Sequence, residues 1–283
     1  MTSVLVLIAA PGSNAINDAV LRLVGTPPLW LSKGEAADFA APDDLEILRR
    51  ALAPFPLDVN LVSKINRRKR LLIADMDSTM IQQECIDELG IVAGVGDKIK
   101  AITVRAMRGE IDFADALRER VGLMAGLDAK VIDDIVRDHL TLMPGGKTLV
   151  ATMKASGAYT ALVSGGFRQF TSRVASLVGF DTNEANDLII ENGKLAGQVG
   201  EPILGKEAKV EALNRLSSAH GLTAADAIAV GDGANDIPML QAAGMGVALH
   251  AKPKVQEAAS LCINYGDLTA LLYLQGYKKA EFS

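Results

Sequence analysis

Residues 71–79 read Leu-Leu-Ile-Ala-Asp-Met-Asp-Ser-Thr, and this stretch constrains the fold more than any other. Four apolar residues run directly into two carboxylates two positions apart. Like charges that close repel, and are costly to desolvate unless something positive sits between them. A short unbroken apolar run suits a strand buried on both faces. In an open parallel sheet, ligands gather beyond the carboxyl ends of such strands. Asp75 and Asp77 therefore ask for a cation, a proton or an electrophile at a strand tip.

From residue 71 onward the pattern alternates strand and helix, which predicts a parallel sheet. The strand candidates are 71–75, 159–164, 227–231 and 245–249, with 261–264 as a fifth. Between the first two lies a long stretch of helical periodicity, with helices expected over 86–89, 99–107, 113–121 and 131–140. That is more helix than a single crossover needs, so residues 81–142 are expected to form a cap inserted over the strand ends.

The first sixty-odd residues read as a smaller unit. Residues 3–9 are β-rich, Pro11-Gly12-Ser13-Asn14 is a turn, and 15–24 has helical spacing with Asn14 or Ser13 as its N-cap. Pro27-Pro28 breaks the chain before a strand at 29–31, then a helix is expected over 43–52 and a strand over 57–62. The pattern is βαβαβ-like and carries no catalytic constellation. The run Asn66-Arg67-Arg68-Lys69-Arg70 is read as a solvated linker rather than a nucleic-acid patch. A domain boundary is placed near residue 68, giving 1–68 as an accessory α/β domain and 69–283 as the main one.

Four of the predicted strand ends and loops carry polar chemistry. Asp75, at its strand tip, can attack a phosphorus centre, and Asp77 can move a proton if its pKa is raised. Leu162-Val163-Ser164-Gly165-Gly166 offers a hydroxyl followed by backbone free to approach an anion. Lys209 can neutralise a phosphoryl group, with Lys206 as the rival on sequence alone. Gly231-Asp232-Gly233-Ala234-Asn235-Asp236 places Asp232 to complete a metal site with Asp236 supporting it from behind.

At these residues the chain resembles the phosphoserine phosphatases of the haloacid dehalogenase-like superfamily. Asp75-Met76-Asp77-Ser78-Thr79 matches the family's nucleophile motif, Val163-Ser164-Gly165-Gly166 supplies its Ser, and Gly231-Asp232-Gly233-Ala234-Asn235-Asp236 its acidic metal motif. The resemblance implies a Rossmann-like core with a helical C1-type cap. It implies Mg²⁺-dependent hydrolysis of O-phospho-L-serine through an aspartyl phosphate, the last step of serine biosynthesis. Asp75 would be nucleophile and metal ligand, Asp77 acid/base and a ligand through its backbone carbonyl, and Asp232 the third ligand. Ser164, Gly165 and Lys209 would hold the phosphoryl group, with Asn235 beside the substrate. In the cap, Glu84 would hold the amino group, Arg120 the carboxylate, and Phe113 would close the apolar side. On spacing alone, Glu84 and Arg120 read rather as a surface pair or a solvated helix face. The alternative is a phosphatase or phosphotransferase of the same superfamily acting on another small phosphate monoester. A receiver-type signalling domain fits poorly, because it needs its acidic pair on the first strand and its acceptor Asp on a later one.

Composition narrows the remaining classes. Lys and Arg number 29 against 34 Asp and Glu, a net charge of −5, which argues against a nucleic-acid or membrane-surface partner. The two cysteines, Cys85 and Cys262, lack metal-site spacing and read as reduced thiols. The apolar start is short, has no preceding Lys or Arg, and is expected to be a first strand, with the protein cytoplasmic. A homodimer is compatible with this reading.

Overall fold

A computed structural model describes residues 2–283. Near its N-terminus are β1 (Ser3–Ala9), α1 (Asp18–Val24), β2 (Leu29–Ser32), β3 (Ala36–Ala40), α2 (Leu45–Leu52) and β4 (Leu57–Ser63). They form a four-stranded sheet of order β2-β3-β1-β4. All its pairings are antiparallel, with Leu5 opposite Phe39 and Leu61. Strand β3 has no counterpart among the expected elements, because Asp38 interrupts its apolar pattern. Leu5, Leu7 and Ala9 alternate along β1 and pack with Val20, Phe39, Leu48 and Leu52, the period of two that turns one strand face toward the helices. Asn17, rather than Asn14 or Ser13, caps α1 by accepting from Ala19 N and Val20 N. Asp44 does the same for α2.

The chain continues through β5 (Leu71–Ala74) and the helices α3 (Cys85–Val92), α4 (Gly96–Met107), α5 (Phe113–Gly122), α6 (Val131–Asp138) and α7 (Gly146–Ala155). Then come β6 (Tyr159–Phe167), α8 (Arg168–Val178), β7 (Thr182–Asn186), β8 (Leu188–Glu191), β9 (Lys194–Val199) and α9 (Lys206–Ala219). The last elements are β10 (Ala227–Gly231), α10 (Ile237–Ala242), β11 (Met245–Leu249), α11 (Pro253–Ala258), β12 (Leu261–Ile263) and α12 (Ala270–Leu274). The second sheet has six strands in the order β12-β11-β10-β5-β6-β7. Its pairings β10–β11, β11–β12 and β6–β7 are parallel. The protein is thus α/β, with a parallel core and five consecutive helices after β5. Three strands of this part lie beyond the expected set: β7, on the edge of this sheet, and β8 and β9 of an antiparallel hairpin.

Two compact units emerge. One holds the residues up to Ile73 with Met143–Thr160 and Leu213–Ser283, and the other Ala74–Leu142 with Ala161–Ala212. In the first unit the N-terminal sheet is tied to the chain's end by buried polar groups. Asp58 accepts backbone N–H bonds from Asn264, Tyr265 and Gly266. Asn60 donates its amide to Cys262 O at 2.9 Å and accepts from Cys262 N at 3.0 Å. Glu35 accepts from the Tyr273 hydroxyl and pairs with Lys279, each at 2.7 Å.

The basic run is not a solvated linker. Arg67 forms a forked pair with buried Asp38 at 2.6 and 2.8 Å and also donates to the carbonyls of Leu274 and Tyr273. Lys69 is buried and gives its ammonium to Ala225 O at 2.7 Å. Carboxylate and carbonyl acceptors far away in sequence replace the water these cations would otherwise need. Arg68, by contrast, stays exposed, pairing with Glu281.

Candidate active site

In the second unit, β5 delivers Asp75 to a buried position where its carboxylate meets Lys209 Nζ at 2.7 Å. Lys209 lies one turn into α9 and is 2% exposed. The rival, Lys206, projects into solvent beside Glu207. A buried ammonium in contact with a buried carboxylate offsets part of the desolvation cost that each would bear alone.

Two residues on, Asp77 is gripped from both sides. Cys85 N donates to its Oδ1 at 2.8 Å and the Ser164 hydroxyl to its Oδ2 at 3.2 Å. Burial pushes this carboxyl upward, while the bonds from Cys85 and Ser164 and the charge of Lys209 pull against it. The result is a carboxyl suited to holding a proton.

Ser164 sits where the β6–β7 register slips, between Val163 and Phe167, so the strand opens into a small cradle. Gly166 N donates to the Ser164 hydroxyl at 2.9 Å. A side chain at Gly166 would press on the Asp77 carboxylate, its Cβ at 2.9 Å from Oδ2. Asn186, which the sequence reading missed, braces the cradle. Its amide donates to Gly165 O at 2.9 Å, and its carbonyl accepts from Leu204 N at 2.6 Å. It lies at the end of β7, a strand with no periodic apolar signal, so nothing local marked it.

Phe113 opens α5 and leans over Gly165, where an added Cβ would lie 3.3 Å from its ring. Arg120, on the same helix, donates Nε to Ala116 O at 3.1 Å. Among the described residues no carboxylate forms an ion pair with its guanidinium. Burial pushes its pKa down, opposed by the charges of Asp87 and Glu84. Glu84, exposed at the N-cap of α3, accepts the Ser78 hydroxyl at 2.7 Å.

In the first unit, β10 ends at Gly231 and its loop carries Asp232, exposed Asn235 and buried Asp236. Asp236 accepts from Gly233 N at 3.0 Å, and a side chain at Gly231 would collide with its carboxyl. Asp232 and Asp236 each offer a carboxylate oxygen, within 4.8 Å of one another. Paired carboxylate oxygens of this kind suit a hard divalent cation, which takes oxygen ligands. The Asp77 carboxylate is not part of that group.

The haloacid dehalogenase-like hydrolase family matches residues 72–241 of this chain, a span that contains every one of these side chains. The protein belongs to the haloacid dehalogenase-like hydrolases. It is 41% identical over 281 residues to a phosphoserine phosphatase of Streptomyces coelicolor, with 97% of this chain covered; it spans 66% of that relative's length, just under two thirds. Against a phosphoserine phosphatase of Lactococcus lactis the identity is 45% over 205 residues, covering 72% of this chain and 94% of the relative. The crystal structure of a hydrolase of the same family from Salmonella enterica serovar Typhi superposes with a TM-score of 0.86 at 29% identity. It covers 96% of this chain and 98% of its own. No helix among the described residues of this hydrolase is long and apolar enough to cross a membrane.

Proposed function

We propose that this hydrolase cleaves O-phospho-L-serine to serine and phosphate. The observation that carries the reading is Arg120: a partly buried guanidinium without a carboxylate partner, on the helix whose first residue, Phe113, leans over the Ser164–Gly165 cradle. A planar fork of that kind binds a small carboxylate bidentately. Glu84 supplies the opposite charge for an ammonium group. The similarity to curated phosphoserine phosphatases supports the same substrate.

In this reading Asp75 attacks phosphorus, forming an acyl phosphate as the bond to the serine oxygen breaks. Asp77 gives its proton to that leaving oxygen. It then takes a proton from water, which attacks the phosphorus, releases phosphate and restores Asp75. Lys209, with Ser164 and the Gly165 backbone, offsets the charge on the phosphoryl oxygens, and Asn235 lies on the substrate side. Asp75, Asp232 and the Asp77 carbonyl would hold Mg²⁺, with Asp236 as a further carboxylate. When bound, the ion neutralises phosphate charge. We further propose that residues 1–68 are an accessory domain to a phosphatase domain of 69–283 capped by about 81–142. The reaction is placed in the cytoplasm, at the end of serine synthesis.

The test is phosphate release from O-phospho-L-serine and from a panel of other small phosphate esters, with and without Mg²⁺. Strong Mg²⁺-dependent preference for phosphoserine is expected, with Asp75→Asn inactive and folded. Release from other esters only would keep the phosphatase and discard the substrate.

A further inference from the structure

Ser78 lies beside the catalytic carboxylates and has no part in the chemistry just described. Its backbone is left-handed, with φ of 54°, a region that costs a non-glycine residue free energy unless its surroundings hold it there. The surroundings do so. Ser78 N donates to Gln83 O at 3.3 Å, while Thr79, Met80 and Ile81 all direct their N–H groups at Met76 O. This tight loop brings the Ser78 hydroxyl to Glu84 Oε1 at 2.7 Å.

Glu84 is the N-cap of α3, with extended backbone, and its side chain makes no capping bond to the helix. A carboxylate at that position is drawn toward the positive end of the helix. The Ser78 hydroxyl opposes that pull by holding one oxygen on the side of the Asp75–Asp77 loop. The peptide carrying Glu84 is fixed from its other side. Gln82 N donates to Thr141 O at 2.9 Å, and the Gln83 side chain accepts from Thr141 N at 2.9 Å. Backbone and side chain of Glu84 are thus set by separate contacts, and only the side-chain contact depends on Ser78.

We infer that Ser78 is a positioning residue that aims the Glu84 carboxylate and so sets the enzyme's preference for substrates bearing an amino group. This rests on the reading that Glu84 receives the substrate ammonium. A hydrogen bond to a charged group is strong enough for its loss to change discrimination by about tenfold.

The experiment compares the Mg²⁺-loaded enzyme on O-phospho-L-serine and on 3-phosphooxypropanoate, which keeps the phosphate and carboxylate but lacks the amino group. Ser78→Ala and Ser78→Gly are both made, the second tolerating the left-handed backbone without strain. Both are expected to lose about tenfold in the ratio of kcat/KM between the two esters, chiefly through a higher KM for phosphoserine. In a Glu84→Gln background, Ser78→Ala is expected to change that ratio no further. Equal losses on both esters would overturn the inference by marking a general defect of the loop. If Glu84→Gln loses the discrimination and the Ser78 variants keep it, the inference alone is overturned. If Glu84→Gln keeps it too, the assignment of Glu84 falls, and this inference with it.

Discussion

Replacing Lys209 with Met keeps the length of the side chain and removes its charge. The ammonium it removes sits 2.7 Å from Asp75, with side-chain exposures of 2% and 8%. Water cannot take over as partner, and Asp75 is left as a buried anion whose Oδ1 keeps the Met76 N–H at 2.8 Å. Breaking a buried pair on one side costs about 3–5 kcal/mol. For a chain of this size that lowers the melting temperature by roughly 10 °C. Removing the second charge as well, in Asp75→Asn/Lys209→Met, relieves the anion that has lost its ammonium and is expected to recover at least half of the loss. The assay is thermal and urea denaturation of wild type, both single variants and the double variant, without added metal. A Lys209→Met protein as stable as wild type, or a double variant whose loss equals the sum of the singles, would refute the claim that the two charges are mutually dependent. Turnover of Lys209→Met is expected to fall by at least a hundredfold, since a phosphoryl group would meet an uncompensated carboxylate.

Arg120→Ala should raise KM for phosphoserine by about 2–5 kcal/mol in binding terms while leaving cleavage of an aryl phosphate much less affected; steady-state kinetics on the two substrates decide it. Asp38→Ala strands the Arg67 guanidinium and should cost about 3 kcal/mol in urea denaturation, more than Asp38→Ala/Arg67→Met. At Glu35, burial pushes the carboxyl up, but the bonds from Lys279 and Tyr273 outweigh it and hold the group below 4.5. A carboxyl lowered in the folded state adds stability above its unfolded pKa and loses it as pH falls through the folded one. Wild type should therefore lose melting temperature more steeply than Glu35→Gln below about pH 4.5, and parallel curves would remove the Glu35 network from the account.

The main sheet was legible because its strands are short apolar runs with polar chemistry at their ends, as in 71–77 and 227–232. The cap helices were legible from periodicity, with boundaries displaced by a few residues, as for α3, which starts at Cys85. What stayed hidden depends on distant partners. Strand β3 contains Asp38, which reads as a turn residue until Arg67 is known to neutralise it. The basic run reads as wet until Ala225, Tyr273 and Leu274 are seen to receive it. Spacing alone left Lys209 and Lys206 as rivals, because both lie in one turn of the same helix; the family resemblance pointed to Lys209, and only the structure shows it against Asp75. Ser78 makes its contact from left-handed backbone and Asn186 from a strand end where the register slips, and neither carries a periodic signal.

The Asn60 side chain gives Cys262 both a donor and an acceptor, which is what a neighbouring strand would give it. Cys262 lies on β12, the outermost strand of the main sheet. That amide, with Asp58 on the backbone just past β12, covers a rim that would otherwise be open to another molecule's backbone. A shortened chain starting just before β5 would carry that rim uncovered, and its first failing would be clumping in solution rather than loss of chemistry. Any attempt to isolate the catalytic portion should therefore supply a substitute seal, such as a charged or proline residue facing outward on β12.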